Sequence, residues 1–225
     1  MGEVLVDFIG HQNNVLINET RDYHRYLGGS PANVAMNCKR LGLSSTLVSS
    51  VGNDGFGEYI FKRLEEIGIN TSNVKKLENK STSVIFVSKS NGTPDFIPYR
   101  NADCDISENQ ITTEMLSQTK IFHTTCFALS KNPAQTTILK KAEEAHKKGC
   151  KLSIDVNYAK ELWETKEQAL QVIKNYCQFN PLIKISEDDM LRLFEKQLPH
   201  KEIFEFFHNL GVETVCLTLG SKGVK

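Results

Sequence analysis

The stretch YHRYLGGSPANVAMNCKRLG, residues 23–42, sets two glycines, a serine and a proline directly before a helical pattern. Ser30 suits the cap position and Pro31 the first helical position, since a hydroxyl can satisfy a free N–H at a helix start and proline has none to satisfy. Val34, Cys38 and Leu41 fall at i, i+4 and i+7, which predicts an apolar stripe facing a core. Gly42 then ends the helix in a left-handed conformation. Gly28 and Gly29 exceed what a cap requires. They permit backbone angles or close approaches closed to other residues, so the segment reads either as a plain turn or as a place where backbone meets a ligand.

Outward from this stretch, EVLVDFI (3–9) reads as a buried strand and STLVSSVG (45–52) as another. FGEYIFKRLEEIG (56–68) is an amphipathic helix closed by Gly68. KIFHTT (120–125), KLSIDVN (151–157), PLIKIS (181–186) and ETVCLTLG (213–220) are further strands, with helical patterns at 132–148, about 166–177 and 199–210 between several of them. Strands alternating with helices predict a mostly parallel sheet covered on both faces. Two regions break the rhythm. NVLINETRDYHRYL (14–27) and STSVIFVSKSNGTPDFIPYR (81–100) read as exposed strands, the second with SNGT as a hairpin turn. A small antiparallel sheet over one edge of the main domain accounts for both; an ordinary extension of the sheet is the alternative.

Composition narrows the function classes. The 225 residues carry 27 basic and 27 acidic side chains, and no basic block points to nucleic acid or an acidic membrane surface. Nothing resembles a signal peptide, and no apolar run spans a bilayer. Six scattered cysteines without a CxxC pair read as reduced thiols of a cytoplasmic protein. The six histidines show no metal-ligand spacing either.

Several segments, in order, carry one resemblance: GEVLVDFIG, GGSPANVAMNCKRLG, VGNDGFGEYIFKRLEEIGI, YRNAD, DVNYAKELW, KISEDD and TLGSKG. Together they resemble the ribokinase-like sugar kinases, also called the PfkB carbohydrate kinase family, nearest its fructokinase and 2-keto-3-deoxygluconate kinase branch. The resemblance covers essentially the whole chain, with 28–57 its most specific part. It implies a three-layer α/β/α core with a small β-sheet lid, here residues 1–225 of an incomplete domain with lid strands from approximately 12–27 and 81–100. It also implies transfer of the γ-phosphoryl of ATP to a sugar hydroxyl with Mg²⁺, the substrate lying between lid and core.

The same resemblance assigns roles. Asp7 is implied to accept hydrogen bonds from sugar hydroxyls, and Gly28, Gly29 and Asn33 to form the sugar-binding loop and helix start; the plain alternative for Asp7 is a strand-end hydrogen bond. NDGFG (53–57) matches no phosphate loop and reads as a turn capped by Asn53 or Asp54. Tyr99 is expected to pack on the sugar and Arg100 to face an anionic group, against the alternative of an arginine paired with Asp103 or Asp105. In DVNYAKELW, Asn157 keeps the family pattern Asp-x-Asn-x-Arg and is implied to bind substrate, but Ala159 stands at the arginine. That loss argues against an acidic keto-sugar and for a neutral hexose, fructose foremost. Lys184, Ser186, Thr218, Gly220 and Gly223 are implied on the ATP side. Asp189 is implied to organise Mg²⁺ through water, where a helix cap by Ser186 is the alternative.

The family's Gly-Ala-Gly-Asp type sequence, which supplies the catalytic base and an anion-binding helix N-terminus, has no counterpart here, so no catalytic residue is named. A kinase represented by an incomplete, poorly active chain is therefore expected. A truncated sugar-binding or scaffold protein is the alternative, and 2-keto-3-deoxygluconate kinase or nucleoside kinase activity is a further one. Lid strands leave an edge that a second subunit could cover, giving a homodimer.

Overall fold

The computed structural model describes residues 1–89 and 95–225. The chain divides into two compact units, Gly2–Gln110, and Ile111–Lys225 together with Met1. The expected SNGT turn at 90–93 lies outside the described residues.

In the first unit the elements run β1 (Leu5–Asn13), β2 (Tyr23–Gly28), α1 (Ser30–Arg40), β3 (Ser49–Gly52), α2 (Gly55–Ile67), β4 (Val74–Leu77), β5 (Val84–Lys89) and β6 (Phe96–Tyr99). One sheet has the order β2-β1-β5-β6, and β3 pairs with β4 in parallel. β1 is antiparallel to β2 and parallel to β5, and β5 is antiparallel to β6. The first strand thus sits inside the mixed sheet and runs on to Asn13, past the expected 3–9. Residues 14–22 are not strand. The Leu16 carbonyl accepts from Glu19 N, Thr20 N and Thr20 Oγ1, so a local turn takes up the backbone groups a strand would have paired.

Helix α1 departs from its sequence reading in two ways. Gly29, not Ser30, is the cap residue, with φ 101°, and the carboxylate that meets the helix start comes from Glu3, whose Oε1 accepts from Ser30 N at 3.1 Å. The buried face is Pro31, Ala32, Ala35 and Met36, while Val34 is 37% and Leu41 79% exposed. Both stripes have helical spacing. The small-residue stripe wins because the helix enters against backbone: a Cβ on Gly29 would lie 2.5 Å from the Glu3 carbonyl oxygen. Gly42 follows the helix at φ 81°, as its position predicts. Helix α2 is capped by Asp54, which accepts from Phe56 N and Gly57 N. A Cβ on Gly57 would meet Gly52 O at 2.1 Å, so this glycine serves close helix–strand packing.

In the second unit α3 (Thr113–Gln118), β7 (Ile121–Thr125), α4 (Ala134–Lys147), β8 (Lys151–Asp155), α5 (Lys166–Cys177), β9 (Leu182–Ser186), α6 (Glu187–Phe194), α7 (His200–His208) and β10 (Thr214–Thr218) follow in order. The sheet order is β10-β9-β8-β7, all parallel. Alternation along these strands puts Phe122, Leu152, Ile154, Ile183, Ile185 and Leu217 in the core. Between them, His123, Ser153, Asp155, Lys184, Ser186 and Thr218 are polar and half-buried. All six cysteines are free thiols, and no helix among the described residues is long and apolar enough to cross a membrane.

Candidate functional site

In the first unit the site begins with β1. Asp7 pairs across the sheet with Tyr26, and its side chain leans onto Gly28, where a Cβ would come within 2.3 Å of Oδ2. Any larger residue at 28 would displace the carboxylate. Gly29 has a different reason, its positive φ and its approach to the Glu3 backbone. One glycine clears space for a functional group and the other turns the chain into α1. Asn33 lies in the first turn of α1, held through its N–H to Gly29 O at 3.0 Å, with its side chain exposed.

Asp7 is the unusual group here. Among the described residues it has no hydrogen-bond donor or cation as a partner, and burial pushes its carboxyl up to about 6. A largely buried carboxylate left without a partner is costly, and such groups concentrate where a ligand completes them. Tyr26, which the sequence reading passed over, stands directly across from Asp7 and is 48% exposed. Its aromatic face is suited to the C–H surface of a sugar ring. The signal was in the alternation of YHRYLGG, but only the β1–β2 register ties it to Asp7.

Two expected sugar contacts are corrected. Tyr99 pairs with Val84, and Val84 with Val6, so Tyr99 lies on the sheet face opposite Asp7. There it is 60% exposed and packs edge-on against Phe86 at 6.1 Å. Arg100 takes the alternative, the pair with Asp103. Its side chain is 5% exposed, with Nη2 2.6 Å and Nε 2.9 Å from Asp103 Oδ2. Burial alone would lower the guanidinium pKa; Asp103 outweighs it and the net direction is up. Asp103 is in turn hydrogen-bonded by Ser83 Oγ, so Arg100 belongs to a buried network that joins the ends of β5 and β6.

In the second unit Lys184, Ser186 and Thr218 are brought together. Register pairs Cys216 with Lys184 and Thr218 with Ser186, so these side chains share a face at the carboxyl ends of β9 and β10. This is where open parallel sheets bind ligands. Lys184 Nζ is 3.0 Å from Asp155 Oδ1. The TLGSKG segment is a tight turn in which Leu219 N donates to Gly223 O at 2.8 Å. Gly220 (φ 58°) and Gly223 (φ 93°) serve that turn, and the space beside each is open. Asn157 follows β8 at φ 30°, a left-handed conformation that asparagine tolerates.

Asp189 takes the helix-cap alternative. It is 2% exposed. Oδ2 accepts from Ser186 N at 3.0 Å and Ser186 Oγ at 2.6 Å, and Oδ1 from Tyr158 N at 3.1 Å and Arg192 Nη2 at 2.9 Å. Four donors fill a carboxylate. Ser186 Oγ also accepts from Asp189 N, completing a capping box at the start of α6. The described residues contain no cluster of three or more His, Cys, Asp or Glu that could hold a metal ion.

Residues 1–225 match the pattern of the pfkB family carbohydrate kinases. The chain is 38% identical over 223 residues to an ATP-dependent 6-phosphofructokinase of Thermoanaerobacterium thermosaccharolyticum, covering 99% of this chain and 68% of that protein. A fructokinase structure from Halothermothrix orenii superposes with a TM-score of 0.91 at 35% identity, over 99% of this chain and 79% of its own. A sugar kinase of Pyrococcus horikoshii in complex with ATP gives 0.83 at 30% identity, over 99% and 71%. These likenesses show the ribokinase-like α/β fold. The chain belongs to the PfkB family of carbohydrate kinases and is a phosphotransferase by family.

Proposed function

We propose that this protein binds a hexose of the fructose type at Asp7, Gly28, Gly29 and Asn33 and serves ATP-dependent phosphorylation of a sugar hydroxyl. The observation that carries the reading is the buried, unpartnered carboxylate of Asp7, seated on Gly28. Sugar hydroxyls supply the donors it lacks, and a charged acceptor makes those hydrogen bonds the strong kind. Asn33 adds an amide that both donates and accepts. The relatives support both a sugar and ATP as the substrates, since they include a fructokinase and a sugar kinase in complex with ATP.

On the nucleotide side, Thr218 and the Gly220–Gly223 turn are proposed to meet ATP beside Lys184. When bound, ATP supplies the phosphoryl group. Lys184 and Thr218 would hold phosphate oxygens at the strand ends. Asp189 accepts four hydrogen bonds from its own fold, so a direct contact to Mg²⁺ would compete with them. No residue of 1–225 is assigned as the base that takes the hydroxyl proton.

The alternative reading is sugar binding without turnover. Calorimetry with fructose and a coupled ADP-release assay separate the two. Fructose binding that weakens at least tenfold in Asp7→Asn supports the sugar site; unchanged affinity removes Asp7 from it. Sugar-dependent ADP release supports the kinase reading, and binding without release supports the second.

A further inference from the structure

Glu3, in the stretch GEVLVD, is an acid only 1% exposed. It touches the turn between β2 and α1 twice. A Cβ on Gly29 would lie 2.5 Å from the Glu3 carbonyl oxygen, and Glu3 Oε1 accepts from Ser30 N at 3.1 Å. The two contacts have one origin. The turn is seated so close to the β1 backbone that residue 29 has no room for a side chain. The acceptor that a serine or aspartate would supply at the cap therefore has to come from elsewhere. It comes from 27 positions earlier in the chain, at the root of β1. Helix α1 has no acid in its first turn, so Glu3 also brings the negative charge that a helix start favours. All four strands of the mixed sheet meet at this end. β1 begins at Leu5, just after Glu3; β2 ends at Gly28, just before Ser30; β5 begins at Val84, beside Ser83; β6 ends at Tyr99, beside Arg100. Ser83 Oγ donates to Asp103 and accepts from Asn101 N at 2.8 Å. Burial lowers the guanidinium pKa of Arg100, and Asp103 foremost, with Glu3 adding to it, turns the direction up.

We propose that Glu3 is a positioning residue of the sugar site: by reaching the Ser30 N–H it fixes the Gly28–Gly29 turn against β1, and so holds the Asp7 carboxylate where a sugar hydroxyl meets it. The proposal rests on the reading of Asp7 as the sugar contact. The path from Glu3 to Asp7 is short. Glu3 sets Gly29 and Ser30, and Gly28 is the next residue of the turn. A Cβ on Gly28 would come within 2.3 Å of Asp7 Oδ2, so the carboxylate lies directly on that backbone. A turn that relaxes by about 1 Å opens a gap there for water, and a misplacement of that size can cost about 100-fold in a functional site. The reach of Glu3 is what matters for this. Glutamine keeps the reach and a carbonyl oxygen for Ser30 N, whereas aspartate keeps the charge and falls a methylene short.

The test sets Glu3→Asp against Glu3→Gln in the full chain. Calorimetry reads fructose affinity, carbon NMR reads the titration of the Asp7 carboxyl, and a thermal melt reads stability. In wild type the Asp7 carboxyl titrates at about 6. Glu3→Asp should weaken fructose binding about tenfold, and the Asp7 titration should move down toward 3.8 as water reaches the carboxylate. Glu3→Gln, the conservative variant for reach, takes a charge from beside Arg100 and should melt lower. It should nevertheless keep the wild-type fructose affinity and Asp7 titration. A purely structural helix cap predicts otherwise, with affinity falling wherever the melt falls. Glu3→Gln binding fructose as weakly as Glu3→Asp therefore overturns the proposal, as does a Glu3→Asp protein with wild-type affinity and titration. If Glu3→Asp does not fold, Glu3→Gln decides by itself: full affinity in a less stable protein supports positioning, and lost affinity overturns it. Wild type that binds no fructose overturns the sugar reading and this proposal with it, a failure told apart by the wild-type titration alone.

Discussion

Replacing Asp7 by asparagine should make the protein more stable and a poorer sugar binder at once. The carboxyl pKa is raised from 3.8 to about 6 by burial. A shift of about two units corresponds to roughly 3 kcal/mol between the protonation states. The sign follows from the direction. With the folded-state pKa above the unfolded one, the folded state holds the proton more tightly. The stability is fully present below about pH 3.8, is lost as pH rises through about 6, and stays lost at pH 8. Asparagine keeps the shape and carries no charge. Its amide still lies where Asp7 found no donor, an uncompensated burial of about 1–3 kcal/mol that does not vary with pH. The difference between variant and wild type, measured by urea unfolding, should therefore move in favour of the variant by roughly 2–3 kcal/mol from pH 4 to pH 8. Fructose affinity at pH 8 should fall about 10- to 100-fold, the worth of a hydrogen bond to a charged group. A stability difference that does not change with pH would refute the unpartnered carboxylate. A pH-dependent gain with intact sugar affinity would refute its use.

The two glycines of the 28–29 pair should fail differently. Gly28→Ala pushes on the Asp7 carboxylate and should weaken fructose binding about tenfold while costing about 1–3 kcal/mol in a thermal melt; Gly29→Ala, at φ 101° and against the Glu3 carbonyl, should cost more stability than Gly28→Ala in the same melt. Arg100→Ala leaves Asp103 buried without its cation, and denaturant unfolding should show a loss of about 3–5 kcal/mol; a variant as stable as wild type would return Arg100 to the list of ligand contacts. His123, lowered from 6.5 to about 4 by burial and then by the charges of the Met1 amino group and Lys184, contributes stability present above pH 6.5 and lost as pH falls through about 4. His123→Gln should flatten that part of the unfolding curve, by up to roughly 3 kcal/mol over the window.

The second unit was readable because each of its strands is a short apolar run followed by a helical period, and parallel pairing follows from that alternation. Strands at 120–125, 151–157, 181–186 and 213–220 are found at Ile121–Thr125, Lys151–Asp155, Leu182–Ser186 and Thr214–Thr218, with the ends trimmed where polar loop residues follow. The first unit was harder because its sheet depends on partners far apart in sequence. Nothing local tells Leu5–Asn13 that it will lie between β2 and β5. Nor does anything local set the parity that puts Tyr26 beside Asp7 and Tyr99 on the other face. The α1 stripe was misread for another reason. Val34 and Leu41 are more hydrophobic than Ala32 and Ala35, but close seating of the helix favours small side chains over hydrophobic ones.

The polar residues of the matching motifs sort by whether their hydrogen-bonding capacity is already filled. Asp189 and Arg100 fit the expected spacing, yet Asp189 accepts four donors and Arg100 is matched by Asp103, so each already has a structural job. Asp54 is the same case, since it accepts from Phe56 N, Gly57 N, Thr82 N and Thr82 Oγ1, and these bonds hold its pKa low against the effect of burial. Asp7 differs from Asp54 in the direction of its shift. Its pKa moves up, because burial acts on it with no donor to oppose. A carboxylate lowered by its own fold is finished when the chain has folded, whereas a raised one is still short of partners. By that criterion Asp7, seated against Gly28, is a carboxylate its own fold leaves short of partners, which is why it carries the proposed sugar site.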